Sequence, residues 1–405
     1  MQKIAIIMGR GIEGCGVSKF TLEQMKWLQN NGYTVTTYAA IDKTWSRKNS
    51  HDTSNIIKIE FADSRSVDEL IETCNTHDVI IINSLPSVSH STEVVNGFKR
   101  ILDSLKPPVV LIQHDHSSHS IKRNTLIDET LNVSKMCFVH SKSNPFSEYV
   151  QNTNALASLF QDTGPATFEF QPGLDFDGVK SRYWKPIEET DPIMHKFIGR
   201  TTLWKGVIEM INFHNEYLRP NGYISTLEGI EKSIAIVKLE KQIEFNHCDK
   251  RRNNQCEVVE LKPHQLAYVF GEYIHDALLR RMSKCGFGYQ LSLLRPEFIS
   301  RSIEYTHCEI AAVGAVPVFR KAYGDRCTHR QFGDKLTACK NTGTVWLDES
   351  NMGLAFDLIT KLTRDPSMRD EYRHQAFEFY RAHQDAEHTF KEMHDKIHTH
   401  LFTVS

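Results

Sequence analysis

The strongest constraint on the fold is an alternation that recurs along most of the chain: short apolar runs, each followed by a helix-like stretch. Lys3–Met8 is the first such run and ends at Gly9. Ser18–Asn31 follows with apolar residues at Phe20, Leu22, Met25, Trp27 and Leu28 before Gly32, which reads as strand, glycine loop and glycine-terminated helix. Thr34–Ala40, Val79–Ile82, Val109–Gln113 and Met136–His140 are further strand candidates, with Val67–Cys74 and Val94–Leu105 helix-like between them. Such alternation predicts an α/β chain with parallel sheets covered by helices.

The pattern blurs between Gln151 and Pro192, where Gly164, Pro165, Pro172, Gly173, Gly178 and Pro186 cluster, and a domain boundary is expected there. A second series follows. Its strands are expected at Lys196–Ile198, Ser233–Leu239, Glu257–Leu261, Gly286–Leu291, Ala315–Phe319 and Val345–Leu347, and its helices near Lys205–Leu218, His264–Met282 and Ile299–Val313. Met352–Leu401 reads as wholly helical. Two strand-and-helix halves suggest paired Rossmann-like domains, and open parallel sheets bind ligands at the carboxyl ends of their strands.

Composition narrows the function classes. Over 405 residues, 48 Lys and Arg face 50 Asp and Glu, a net charge of −2, so any contact with a polyanion must come from local basic clusters. No apolar run approaches the ~18 residues of a membrane span, and Met1-Gln2-Lys3-Ile4 leads directly into a strand, so neither a span nor an export signal is expected. Nine cysteines without a Cys-x-x-Cys pair read as free thiols of a reduced, cytosolic chain.

Five motifs carry chemistry. Gly9-Arg10-Gly11-Ile12-Glu13-Gly14 matches Gly-x-Gly-x-x-Gly, and Asp42 follows the next strand, which alone would suggest a nicotinamide dinucleotide. The run continues through Cys15-Gly16, however, and so glycine-rich a loop serves any anionic group or sugar at a helix N-terminus; a substrate-lining loop is the preferred reading over nicotinamide binding or a bare turn. No Lys-Ser/Thr closes the loop, so a Walker A motif is excluded. Gln113-His114-Asp115-His116, with His119 nearby, follows a strand at its carboxyl edge. Proton handling or substrate alignment is preferred there over a metal site or a polar loop without a task. Gly199-Arg200 and Lys205-Gly206 place two cations where both can point at a diphosphate. Cys308-Glu309 on a small-residue helix before Gly314 and Pro317 carries an acid that is costly to bury unless it accepts hydrogen bonds, as from the paired hydroxyls of a ribose. Finally, Lys43 with Arg47-Lys48, Lys122-Arg123, Lys250-Arg251-Arg252 and Arg280-Arg281 are local basic clusters; a solvated surface is the bland reading of each.

Together these motifs resemble retaining nucleotide-sugar glycosyltransferases of the GT-B class. The segments Arg10–Val17, Gln113–His116, Ile198–Gly206, Arg281–Ser292 and Glu304–Glu309 resemble, in order along nearly the whole chain, the DNA α-glucosyltransferase family of T-even bacteriophages. The resemblance implies two Rossmann-like domains facing across a cleft and a helical C-terminal tail. It implies an N-terminal acceptor-side domain at 1–185, a UDP-sugar-binding domain at 186–380, and a final helix at 381–405 returning to the N-terminal domain.

It further implies transfer of glucose from UDP-glucose to 5-hydroxymethylcytosine in double-stranded phage DNA, with retention as the α linkage, protecting the DNA from restriction. Arg200 and Lys205 would bind the diphosphate, Glu309 the ribose, and Gly14, Cys15, Gly16 and Gly288 would line the donor site. His114 and Asp115 would lie at the reacting centre, with Lys122, Arg123, Lys250, Arg251 and Arg252 on DNA. One departure stands out: many relatives carry a second Glu eight residues before the ribose-binding one, and position 301 here is Arg, which leaves Glu304 as the candidate for the sugar. Retention without a carboxylate nucleophile favours attack on the face of the leaving diphosphate. The acceptor proton then goes to a β-phosphate oxygen, the preferred route, or to Asp115.

No tightly bound metal is expected, and the expected setting is the host cytoplasm, with the phage replication machinery as an additional partner. Alternatives are the same reaction with another donor such as UDP-arabinose, an NAD-dependent oxidoreductase, which leaves Arg200, Lys205 and Glu309 without roles, and a catalytically silent DNA-binding protein.

Overall fold

The computed structural model describes residues 2–9, 16–41, 55–86, 91–114, 126–139, 165–199, 205–229, 266–270, 275–292, 304–320, 342–347 and 349–402. The chain divides into two compact units. One is drawn from Met1–Gly173 and Ala386–Ser405, the other from Leu174–Arg295 and Ile303–Asp385.

The first unit is built on a seven-stranded sheet. Its strands are β1 (Lys3–Met8), β2 (Thr34–Ala40), β3 (Ile56–Ile59), β4 (Val79–Ser84), β5 (Val109–Gln113), β6 (Ser134–Val139) and β7 (Ala166–Glu169), in the order β3-β2-β1-β4-β5-β6-β7. Every pairing is parallel. Helices α1 (Gly16–Asn30), α2 (Ser64–Cys74), α3 (Thr92–Ser104) and α4 (Leu126–Val133) belong to the same unit. The central strands β4 and β5 are buried at every position, so each carries a continuous apolar run, Val79–Ile82 and Val109–Ile112, rather than an alternating pattern, with polar residues only at the carboxyl end. Asp63 caps α2, its side chain accepting the Ser66 N–H at 3.0 Å.

The second unit carries a six-stranded parallel sheet. Its strands are β8 (Asp191–Ile198), β9 (Ile224–Gly229), β10 (Leu266–Phe270), β11 (Cys285–Gln290), β12 (Val316–Arg320) and β13 (Val345–Leu347), in the order β10-β9-β8-β11-β12-β13. Its helices are α5 (Phe176–Tyr183), α6 (Val207–Phe213), α7 (His275–Met282), α8 (Tyr305–Ala312), α9 (Met352–Arg364) and α10 (Pro366–Gln384). One core face joins Phe197, Leu227, Phe287, Tyr289, Val316 and Val318 of the sheet to Val207, Met210, Ile359 and Leu362 of the helices.

The helical tail is three helices. Asp365 caps α10 by accepting the Met368 N–H at 3.0 Å ahead of Pro366, and Asp385, in extended conformation, separates α10 from α11 (Ala386–Phe402). α11 belongs to the first unit, where a buried polar chain ties it to α1. Asn83 donates to Thr21 Oγ1 and Gln24 Oε1, both at 3.0 Å, and Gln24 Nε2 lies 3.1 Å from His394 Nε2. Trp27 stacks on His394 and donates to Glu387 at 2.7 Å.

Two readings of the sequence are corrected. The helix expected over His264–Met282 contains a strand, β10, followed by the shorter α7, because Leu-Ala-Tyr-Val-Phe is a continuous apolar run that pairs with β9 at the sheet edge. The strand β9, unforeseen among the polar residues of Ile-Ser-Thr-Leu-Glu-Gly, is buried across Ile224–Glu228, where His214 Nδ1 lies 2.8 Å from Ser225 Oγ and Arg281 donates to Glu228. The strands expected at Ser233–Leu239 and Glu257–Leu261 lie outside the described residues. Among the described residues Cys74, Cys137, Cys285 and Cys308 are buried thiols outside any disulfide, and burial pushes the first two up to about 12 and Cys285 to about 11. No helix among them is long and apolar enough to cross a membrane.

Candidate active site

In the second unit the sheet order brings the carboxyl ends of β8 and β11 side by side, with α8 beginning beside them. β8 ends at Ile198 and is followed by Gly199, whose φ of 143° is a glycine conformation, and the described chain resumes at Lys205-Gly206. Gly206 caps α6 with φ 77°, and a Cβ there would stand 2.0 Å from the Leu291 carbonyl oxygen, so only glycine lets the start of α6 lie against the end of β11.

That close approach assembles a charged cluster. Lys205 Nζ donates to both Glu304 oxygens at 2.5 Å. Gln290, the last residue of β11, donates to Glu304 Oε2 at 2.9 Å, and Ser292 Oγ lies 3.2 Å from Oε1. Glu304 is also the N-cap of α8, and its backbone N–H donates to His307 Nδ1 at 3.1 Å. Burial pushes the Glu304 carboxyl up, but the Lys205 ammonium, His307 and the hydrogen bonds outweigh it and hold the group below its ordinary value. His307 is buried against Phe319, and burial lowers it to about 4, so the ring that accepts the Glu304 N–H is neutral at pH 7. The cluster therefore presents an ammonium, 11% exposed, at a strand edge with a carboxylate holding it in place.

One turn further along α8, Glu309 is almost wholly buried and its Oε1 lies 2.6 Å from Nε2 of His275, the first residue of α7. Gly288 of β11 makes room for this helix, since a Cβ there would meet Ile310 Cγ2 at 2.6 Å. On the same sheet a separate buried triad links Lys196 of β8 and Arg281 of α7 to Glu228 of β9, with Arg281 Nη2 at 2.9 Å from Oε2.

In the first unit, Gly9 follows β1 so closely against Pro86 that a Cβ would stand 2.4 Å from the Pro86 nitrogen, and its N–H donates to the Ser84 carbonyl at 2.8 Å. Gly16 opens α1. His114 follows β5, two strands from β1 in the sheet order, and packs edge-on against Phe20 and Phe170 at 4.8 and 5.2 Å between ring centres. Gly14, Cys15, Asp42, Asp115, Arg200, Lys122, Arg123, Lys250, Arg251 and Arg252 lie outside the described residues. Among the described residues no group of three or more His, Cys, Asp or Glu could hold a metal ion.

The family profile described as AGT, DNA alpha-glucosyltransferase, matches residues 15–367, which include both the Lys205–Glu304 cluster and Glu309. The chain belongs to the DNA α-glucosyltransferase family. The DNA alpha-glucosyltransferase of Enterobacteria phage T4 is 39% identical over 403 residues, covering 98% of this chain and all of the relative. Among solved structures, an alpha-glucosyltransferase in complex with UDP superposes with a TM-score of 0.86 at 38% identity, over 98% of this chain and 100% of that one. A second, in complex with UDP-glucose and DNA containing an abasic site, gives 0.86 at 37%, over 98% of each chain. Anabaena HepE in complex with UDP shares the fold alone, with a TM-score of 0.62 at 12% identity over 98% of this chain and 100% of that one.

Membership of the DNA α-glucosyltransferase family establishes an enzyme of GT-B fold, as the sequence resemblance implied. Sequence reasoning alone did not find four residues of the site in this family member. Gln290 and Ser292 stand within a segment that carries the resemblance, but nothing in their spacing announces that they converge on Glu304. His307 reads as a helix residue until Glu304 is known to be the cap. His275 stands 34 residues from Glu309 and no local pattern joins them.

Proposed function

We propose that this chain transfers glucose from UDP-glucose to the hydroxymethyl oxygen of 5-hydroxymethylcytosine in double-stranded DNA, with retention of the α configuration, and that it does so in the host cell to protect phage DNA from restriction. The observation that carries the reading is the grouping of Lys205, Glu304 and Gln290 at the ends of two adjacent strands, with Glu309 one turn away, in a family whose solved members are described in complexes with UDP-glucose and DNA.

In this reading Lys205 and Arg200 bind the diphosphate, and Glu309 accepts hydrogen bonds from the ribose. Glu304 serves Lys205 first: its two oxygens are engaged by the ammonium and by Gln290 and Ser292, which fixes the cation where negative charge develops on the leaving group. Gly288 lets the Glu309 helix pack close to the sheet, and Gly14, Cys15 and Gly16 line the donor site. The acceptor oxygen bonds to the sugar C1 as the C1–O bond to the diphosphate breaks on the same face. UDP leaves, and the acceptor proton passes to a β-phosphate oxygen while His114 and Asp115 align the two substrates. The base is reached by leaving the stack, with Lys122, Arg123 and Lys250–Arg252 on the phosphates.

The test is incubation of hydroxymethylated and unmodified duplex DNA with UDP-glucose or UDP-arabinose, followed by mass analysis of the nucleosides. A hexose on hydroxymethylcytosine alone, and only with UDP-glucose, is expected. Addition of a pentose instead would reassign the donor, and no addition with either would overturn the proposal.

A further inference from the structure

We propose that His275 is a positioning residue that orients the Glu309 carboxylate and thereby sets how strictly the enzyme reads the ribose of its nucleotide donor. The inference rests on the reading that Glu309 holds that ribose.

The geometry is specific. Glu309 lies in the middle of α8 with its side chain 4% exposed, and His275 Nε2 stands 2.6 Å from Oε1. An ionised carboxylate only accepts, so Nε2 must carry the proton, and the contact is a charge-assisted hydrogen bond. With Oε1 held, rotation of the carboxylate is stopped and Oε2 points in a fixed direction. A buried carboxylate free to turn would satisfy a ribose and a deoxyribose with little difference. One held in a fixed orientation rejects the sugar that lacks the matching hydroxyl, since the geometry of the buried acceptor cannot adjust to it.

The support for His275 is itself fixed. Asp276, the next residue, accepts from the Tyr183 hydroxyl at 2.5 Å through Oδ1 and from Arg280 Nε at 2.7 Å through Oδ2. The first turn of α7 is thus pinned to α5 and to its own second turn, and the imidazole is delivered from a rigid element rather than from an adaptable loop. Neither Tyr183 nor Asp276 is placed on the donor in the proposed reaction, so this support is independent of bound nucleotide.

The test compares UDP-glucose with its 2′-deoxy and 3′-deoxy ribose analogues as donors for wild type, His275→Phe, His275→Gln and Glu309→Ala. In His275→Phe, KM for UDP-glucose should rise about tenfold, as expected for loss of a hydrogen bond to a charged group. Its kcat should stay within about twofold, and KM for the deoxy donor that wild type discriminates against most should barely change, so that discrimination collapses. His275→Gln, whose side-chain amide still donates, should recover most of it. Equal loss on all donors, or full discrimination in His275→Phe, would overturn the proposal.

Glu309→Ala separates this from the reading beneath it. If Glu309→Ala retains ribose discrimination, Glu309 does not hold the ribose and both ideas fall; if it loses discrimination while His275→Phe keeps it, only the role of His275 falls. Should His275→Phe not fold, the wild-type enzyme answers by NMR of its nitrogen-15-labelled imidazoles. The His275 Nε2 resonance should move on adding UDP and markedly less on adding the deoxy nucleotide, and identical movement would refute the proposal.

Discussion

Replacing Lys205 by Met removes the ammonium while keeping most of the side chain's volume, and leaves Glu304, among the described residues, with the neutral donors of Gln290, Ser292 and the start of α8. Breaking a fully buried ion pair costs ~3–5 kcal/mol. Here the two side chains are 11% and 23% exposed, so ~2–3 kcal/mol is the expected destabilisation of the second unit at pH 7.5.

The sign of its pH dependence follows from Glu304. In wild type the carboxyl sits below its ordinary value of 4.5, so its stabilising contribution is present above that value and lost as pH falls through the lower folded one. Without Lys205 the influence of burial is left opposed by weaker partners and the folded carboxyl rises above 4.5. The penalty is then largest at neutral pH and fades as the folded state takes up a proton. Urea unfolding of wild type, Lys205→Met, Glu304→Gln and the double variant at pH 7.5 and 5.0 measures it. The double variant should recover most of the loss at pH 7.5, because no uncompensated charge remains. An equal penalty at both pH values, with no recovery in the double variant, would refute the pairing. UDP affinity of Lys205→Met should fall roughly 30- to 150-fold, the equivalent of ~2–3 kcal/mol.

Three further outcomes are expected. His394 and His307 are both buried, and burial lowers them to about 3 and about 4. The unfolded chain therefore binds protons first, so stability should decline as pH falls from about 6.5 towards 4, and His394→Leu should flatten part of that slope in an acid titration of the unfolding free energy. Neutralising Lys250, Arg251 and Arg252 together should weaken binding to DNA of any sequence and reduce the slope of log K against log salt by up to ~2–3, read by fluorescence anisotropy. Asp115→Asn should keep substantial turnover if a β-phosphate oxygen takes the acceptor proton; a loss on the order of 10³-fold or more with intact DNA and UDP binding would instead make Asp115 the base.

How much was legible follows from where the information lies. β1, β4, β5 and the helix after the glycine loop are legible because burial on both faces gives each strand an unbroken apolar run, Ile4–Met8, Val79–Ile82 and Val109–Ile112, and amphipathic helices flank them. β9 is hard to read because its Ser225, Thr226 and Glu228 are polar yet buried, and the partners of Ser225 and Glu228, His214 and Arg281, are not disclosed by local pattern. β10 fits a helix as well as a strand in the sequence, because a short apolar run matches either period. At the site, Lys205 and Glu309 stood out by their glycine and small-residue neighbours. The pairing of Lys205 with Glu304, 99 residues away, needed the order of the sheet. His275 needed the packing of α7 beside α8, which no spacing in the chain encodes.

Retaining transfer of glucose to hydroxymethylcytosine leaves its record in the anomeric configuration of the product nucleoside. DNA carrying 5-hydroxymethylcytosine, treated with the enzyme and UDP-glucose and digested to nucleosides, should yield a glucosylated nucleoside whose anomeric proton shows the small coupling of an α linkage. A β-linked product, or glucose on any atom other than the hydroxymethyl oxygen, is incompatible with retaining transfer to that oxygen.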